Sequence, residues 1–260
     1  DISPRINATP ARSYEEFQRG KQVYISVGDS AETDIATQSV DLVITDPPFF
    51  DNVHYSELAD FFYVWQRMVL EPLSKASLET TRSINEVQST DADDFARKLG
   101  GVLTECRRVL KDEGLLVFTY HHSRADGWYS VYEAIRGAGF TITNTQPVKG
   151  EMSVSVPVQS SRLPINYDLI IVCRKDIGVG LELDDDSILK GTIDEMQTKI
   201  LRLRGAGLDI SLGDAWVIAM GALLTRLSSL NDFVNEKEHL SQMLITLYPL
   251  VRTHYSQMKH

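Results

Sequence analysis

Residues 40–50 read VDLVITDPPFF, and the fold turns on how that stretch is understood. Val40, Leu42, Val43 and Ile44 form a short apolar run of β-branched character, the mark of a buried strand. The run ends on an aspartate, two prolines and two aromatics. In an open α/β sheet, ligands bind beyond the carboxyl ends of the strands, so Asp46 and its neighbours stand where chemistry is usual.

Upstream, KQVYISVGDS predicts a strand through Val23 to Val27 that closes on Gly28, Asp29 and Ser30. Downstream, YSELADFFYVWQRMVL predicts an aromatic-rich helix. Its continuous spacing places Phe61, Phe62 and Trp65 in the core rather than on a platform for nucleic-acid bases. SLETTRSINEVQST is a polar loop, and Tyr55 and Asp60 are candidates to order the chain near the tetrapeptide. TDADDFARKLGGVLTECRRVLKDEG has helical periodicity, with Phe95, Leu99, Val102, Leu103, Cys106 and Leu110 on one stripe. Thr90, Asp91, Asp93 and Asp94 mark its start, and Gly114 lies past its end. LLVFTYHH, FTITNTQPV and INYDLIIVCRK are strands, and GWYSVYEAIRGAG is a helix closed by glycine. Strand alternating with helix implies a mostly parallel sheet. Two helices are expected in the tail. The first opens on a capping box of Thr192 with Glu195 and lays Ile193, Met196, Ile200 and Leu203 on one face. The expected division is 1–175 for the α/β core and 176–260 for a helical tail.

Composition sets outer limits. The 260 residues are 43% hydrophobic and 24% charged, ordinary for a globular protein. Asp and Glu exceed Lys and Arg by 36 to 26, so no global field steers the chain toward nucleic acid or an anionic membrane. Cys106 and Cys173 stand far apart, without a CxxC pair or histidines at ligand spacing, which argues against a disulfide framework or a metal site. The longest apolar stretch, 215–224, is about half of what a bilayer span requires. A reducing, cytoplasmic setting is the expectation. Lys199, Arg202 and Arg204 make a small basic cluster, either a phosphate contact or a solvated helix face.

Asp46 and Pro47 suggest a specific chemistry. Two successive prolines fix the local path, and Pro47 can hold its carbonyl oxygen in one direction beside the Asp46 carboxylate. Two convergent acceptors suit a nitrogen that carries two hydrogens, such as an exocyclic amino group of a nucleobase, and the Phe49 ring could stack on that base. Acceptors on both hydrogens favour a pyramidal nitrogen whose lone pair can attack an electrophilic methyl group. The competing reading is a plain Asp-Pro-Pro turn with Phe49 and Phe50 in the core.

GDS followed by VDLVITDPPF resembles the catalytic stretch of the amino-methyltransferases, which methylate adenine N6 or cytosine N4 with S-adenosylmethionine. DPPFFDNVHYSELADFFYVWQR is similar to the large prokaryotic proteins known as adenine-specific DNA methylases, as are ECRRVLKDEGLLVFTYHH, INYDLIIVCRK and ISLGDAWVIAMGALL, so the resemblance covers residues 21–225. It implies an α/β fold with a Rossmann-like methyltransferase sheet, the last strand antiparallel, and a helical carboxyl-terminal tail. It also implies that Asp46 and Pro47 grip the target amine, Pro48 completes the motif, and Phe49, where many relatives carry tyrosine, stacks on the base. Gly28, Asp29 and Ser30 would lie near the adenosine part of S-adenosylmethionine. Phe50, Asn52 and Tyr55 are candidates for the substrate side. His121 and His122, at the end of their strand, either contact donor or substrate or serve the structure.

The implied function is methylation of DNA, at adenine N6, on a base flipped from the duplex. An RNA or tRNA amino-methyltransferase and a non-catalytic subunit or fragment of a larger enzyme remain alternatives. The family's glycine-rich Phe-x-Gly-x-Gly loop has no counterpart here, and two strands of the sheet are missing. The chain therefore looks like the carboxyl-terminal part of a larger or split enzyme, completed by an upstream segment or partner subunit. IGVGLEL, with Gly178 and Gly180, is a weak substitute for that loop. The long connection KGEMSVSVPVQSSRLP is expected to be functional or mobile, as a loop facing the target.

Overall fold

The computed structural model describes residues 9–20, 22–70, 80–150, 164–176, 180, 183–230 and 236–258. Two short parallel strands, β1 (Pro10–Ala11) and β2 (Val23–Tyr24), flank helix α1 (Tyr14–Gln18) and form a sheet of their own. The strand expected through Val27 therefore stops at Tyr24, outside the main sheet. β1 offers only two residues to pair with, and Ile25 and Val27 are left exposed.

The main sheet contains β3 (Val40–Thr45), β4 (Leu110–Tyr120), β5 (Phe140–Lys149) and β6 (Tyr167–Lys175), in the order β3-β4-β6-β5. β3 is parallel to β4, whereas β6 runs antiparallel to both β4 and β5. Three strands thus share one direction, as the alternation of elements predicts, and the last opposes them, as the family resemblance implies. Helices α2 (Tyr55–Leu70) and α3 (Ala92–Val109) separate β3 from β4, and α4 (Ala125–Gly137) separates β4 from β5. Helices α5 (Asp185–Gly205), α6 (Leu212–Ser228) and α7 (Glu236–Gln257) follow.

Side chains alternate across a strand, and here the alternation sorts sharply. Leu116, Phe118 and Tyr120 of β4, Leu169, Ile171 and Cys173 of β6, and Phe140 and Ile142 of β5 are buried in one cluster with α3, α4 and α6. On the opposite face Leu115, Val117, Thr119, Ile170 and Val172 are only partly covered. Leu42 and Ile44 pair with Leu115 and Val117 on that face, and Ile44 is 72% exposed. The strand that reads as buried is instead the sheet's edge, because no strand pairs beyond it among the described residues. The aromatics of α2 depart from expectation in the same way. Phe61 is 66% and Trp65 63% exposed, since α2 packs against no other element among the described residues as a helix layer would.

Helix boundaries show where local signals compete. Asp91 caps α3, its carboxylate accepting from the Asp94 amide at 2.7 Å. The helix ends at Val109 rather than near Gly114, because Leu110 already pairs with Val40 and opens β4. α5 begins at Asp185, capped by Asp184, well before the predicted box at Thr192. Thr192 is buried inside the helix and donates to the Ile188 carbonyl at 2.8 Å, while Glu195 pairs with Lys199 at 2.7 Å and Arg226 at 2.6 Å. The tail forms three helices among the described residues, one more than expected. α6 is apolar almost all round and lies against β5 and β6.

A true capping box opens α6, between Ser211 and Asp214. Asp214 is fully buried and also accepts from the backbone N–H of Asn166 at 2.6 Å and of Tyr167 at 3.2 Å, so it pins α6 to the start of β6. Residues 29–39 cross the carboxyl-terminal half of α3. Glu105 accepts from the Thr33 amide at 2.9 Å and hydroxyl at 2.6 Å, and Arg108 reaches Glu105 at 2.7 Å and the Ile35 carbonyl at 2.7 Å.

Asp214→Ala strands the backbone donors of Asn166, Tyr167 and Ser211 and removes the reciprocal half of the capping box, so urea unfolding should show a loss of roughly 3 kcal/mol. The Arg108 guanidinium, and after it Thr33, hold the Glu105 carboxyl down at about 2. A depressed carboxyl stabilises the fold above its unfolded value of about 4.3, and that contribution disappears as pH falls toward 2. The hydrogen-exchange protection factor of the Thr33 amide should fall over that window, and Glu105→Gln should abolish the dependence.

Candidate active site

A cleft of about 680 Å³ opens on the sparsely covered face of the sheet, at the carboxyl ends of β3 and β4. Asp46, Phe49, Tyr55, Thr119, His121 and Asp168 contribute to its walls. The pleat explains the grouping. Thr119 and His121 follow Val117 on the open face, Asp46 follows Ile44, and Asp168 precedes Ile170.

Asp46 is exposed, and the Thr119 hydroxyl donates to its Oδ1, tying the end of β3 to β4. Pro47 and Pro48 are partly buried, and the Pro47 carbonyl accepts no hydrogen bond among the described residues. A carboxylate and a main-chain oxygen therefore stand adjacent and available as acceptors. The Phe49 ring meets Tyr120 at 5.3 Å and His121 at 4.9 Å, edge to face in both cases.

The chain then turns sharply. Phe50 takes a left-handed φ of 53°, strained for an aromatic residue, and is 1% exposed. It is expected at the substrate, but it is a core side chain, set edge to face on Phe95 at 5.4 Å and His122 at 5.5 Å, with the Arg124 guanidinium over its ring at 5.4 Å. His122 is likewise buried behind the loop instead of facing the cleft. Its Nδ1 lies 3.1 Å from the Arg124 backbone nitrogen and 3.2 Å from the Arg124 carbonyl oxygen, and its Nε2 lies 3.3 Å from Asp51 Oδ1. Burial is the main reason its pKa is lowered, which favours the neutral ring. Arg124 completes the knot at 2.9 Å from Asp51. Gly127 allows it, since a Cβ there would lie 2.4 Å from the His122 ring.

His121, by contrast, faces the cleft, its Nδ1 2.5 Å from Asp168 Oδ1. Tyr55 lines the cleft as expected of a substrate-side residue, whereas Asn52 is exposed and outside the lining, its amide donating to the Phe49 carbonyl at 3.2 Å. Asp60 lies on α2, where it accepts from the Thr81 amide at 2.6 Å and from Arg82 at 2.8 Å and holds residues 80–82. Gly28, Asp29 and Ser30 are exposed on the segment that crosses α3 and do not line the cleft. Asp29 Oδ1 accepts from the Ala31 amide at 2.8 Å.

Thr119 and Asp168 escape a reading of the sequence, although each is a polar residue beside an apolar run of its strand, which is the signal that could have found them. Most of KGEMSVSVPVQSSRLP lies outside the described residues, as does Gly178. Lys149 and Gly150 at the start of that connection, and Asn166 just past its end, do line the cleft. The basic cluster on α5 is dispersed: Lys199 bonds to Thr145 at 3.0 Å and Glu195, and Arg204 donates to the Met258 carbonyl at 2.7 Å. The Cys106 thiol, pushed up to about 11 by burial, and the buried Cys173 are free but lie away from the cleft. No described helix is long and apolar enough to cross a membrane.

No curated protein matches the chain. Residues 40–242 match the sequence profile of the DNA methylases of N6/N4 type, a span that begins at β3 and runs through the cleft, the whole sheet and α6 into α7. With its acceptor pair at the end of β3 and its profile match over most of its length, the chain belongs to the DNA methylase family of N6/N4 amino-methyltransferases.

Proposed function

We propose that this protein methylates an exocyclic amino group of a nucleobase in DNA, adenine N6, with S-adenosylmethionine as donor. One observation carries the reading: Asp46 lines the cleft beside the Phe49 ring, with one carboxylate oxygen held by Thr119, and the Pro47 carbonyl next to it accepts no hydrogen bond among the described residues. The amine would give one hydrogen to each acceptor, and Phe49 would hold the base plane. Thr119 keeps the Asp46 carboxylate turned toward the cleft. The wall-forming strands would limit water around the nitrogen, where electrostatic alignment is most effective.

S-adenosylmethionine supplies an electrophilic methyl group on sulfur. Gly28 has open space about it, and Asp29 keeps one carboxylate oxygen outside its turn, a combination that fits the ribose edge of a nucleoside. No glycine-rich cradle for the methionine portion occurs among the described residues. In this reading an upstream polypeptide or partner subunit provides it and covers the apolar face of Leu42, Ile44, Val117 and Ile170 together with α2. Apolar surface of that extent on a sheet and helix marks an interaction site. The same exposure favours a second reading, in which the chain is a methyltransferase-shaped subunit that binds no donor by itself.

Calorimetry with S-adenosylmethionine, on the chain alone and with the upstream polypeptide, separates these. Heat only with the polypeptide supports the first reading, and no heat in either case supports the second. Hydrophobic-dye fluorescence from the chain should fall when the polypeptide is added. In a labelled-methyl assay on duplex DNA, Asp46→Ala should lower kcat by 100-fold or more while duplex affinity stays within twofold. Activity unchanged by that substitution would remove the amine grip. Salt-matched assays on DNA and RNA oligonucleotides, with adenine or cytosine as the sole acceptor base, decide the substrate.

A further inference from the structure

His121 and Asp168 form a second device in the cleft. A carboxylate only accepts, so the 2.5 Å contact to Nδ1 places a proton on that nitrogen and, in the neutral ring, leaves the Nε2 lone pair available. The ring is held from two sides. Phe49 abuts it at 4.9 Å with planes 75° apart, and Asp168 is wedged by Gly150, where an added Cβ would lie 3.3 Å from both carboxylate oxygens. Nε2 has no protein partner among the described residues. His121 follows Thr119 on the same face of the chain, about 7 Å further along at the usual rise of a strand. Thr119 carries Asp46 on one side and His121 carries Asp168 on the other, so the acceptor pair and the imidazole stand on neighbouring rungs.

We propose that His121 is the catalytic base that takes the proton released by the amine, and that Asp168 is its positioning residue. The proposal rests on the amine-methylation reading above. As the nitrogen lone pair forms the bond to the methyl carbon, the carbon–sulfur bond breaks and its electron pair stays on sulfur as a neutral thioether. The nitrogen then holds a positive charge and two hydrogens. One hydrogen leaves as a proton to His121 Nε2, and its bonding pair returns to nitrogen. The resulting imidazolium is stabilised by Asp168 until solvent takes the proton. Asp46 is thereby left as an ionised acceptor for the next turnover.

The test begins without turnover. Nitrogen-15 spectra of the imidazole in the chain should show the Nδ1–H tautomer at His121, lost in Asp168→Ala. A wild-type Nε2–H tautomer overturns the proposal. Methyl transfer is then measured in the chain with its upstream polypeptide. His121→Gln should lower kcat at least tenfold with both KM values within twofold, and it should erase the acid limb of the wild-type pH profile. Asp46, Asp168, Lys149 and Tyr55 also face the cleft and could add limbs of their own, so the assignment comes from the difference between variant and wild type. Added imidazole should restore His121→Ala but not Asp46→Ala. The proposal fails if both His121 variants keep kcat within twofold, or if kcat falls while the acid limb persists and imidazole gives no rescue, the mark of a structural role. Asp46→Ala remaining inactive in those cases shows that the amine grip survives. Full activity of Asp46→Ala, or no transfer by the wild type, removes the functional reading and this proposal together.

Discussion

The pleat of the four-stranded sheet governs everything else in this protein. Successive side chains on a strand point to opposite faces, so committing Leu116, Phe118 and Tyr120 to the core sends Leu115, Val117, Thr119 and, just beyond, His121 the other way. The irregular pairing between Val40 and Leu42 sets the register in which Ile44 meets Val117 and Asp46 reaches Thr119. A slip by one residue would turn the polar set into the core and the core outward. Stability and chemistry are therefore two consequences of one pairing.

The second constraint is the knot behind the acceptor pair. The tetrapeptide projects from an edge strand with no neighbour on its far side among the described residues, so its contacts with Thr119, Tyr120 and His121 are reinforced by residues 50–52. Phe50, forced into a left-handed turn and buried on Phe95, acts as the anchor, and Asp51, His122 and Arg124 lock it to the end of β4. Backbone strain of this kind persists only where the surroundings over-determine it, which is what the packing about Phe50 does. The buried His122 and the cleft-facing His121 are adjacent in sequence but lie on opposite sides of the chain.

The sparsely covered face gives the molecule an uneven character. Its helical side is continuous, with α6 inserted against β5 and β6 and sealed by α5 and α7. Its other side shows apolar strand residues and a helix hydrophobic on most of its surface. The family profile runs across both sides, from the edge strand into the last helix.

Much of this was legible in the residues themselves. The four strands of the main sheet, the start of α3 and the motif at the end of β3 are set by hydrophobic period, capping chemistry and proline, all of which act over a few residues, whereas the opposed last strand is an expectation of the family resemblance. What only the tertiary structure decided is exposure. Ile44, Phe61 and Trp65 are as apolar as any core residue, and nothing local states that the described chain leaves them uncovered. Nor does a His-His pair say which ring is buried, or a lone aspartate in INYDLIIVC that it will meet His121 across a ladder. Those outcomes depend on which strands pair and in what register, and pairing between residues far apart in the chain is not encoded in any short stretch of it.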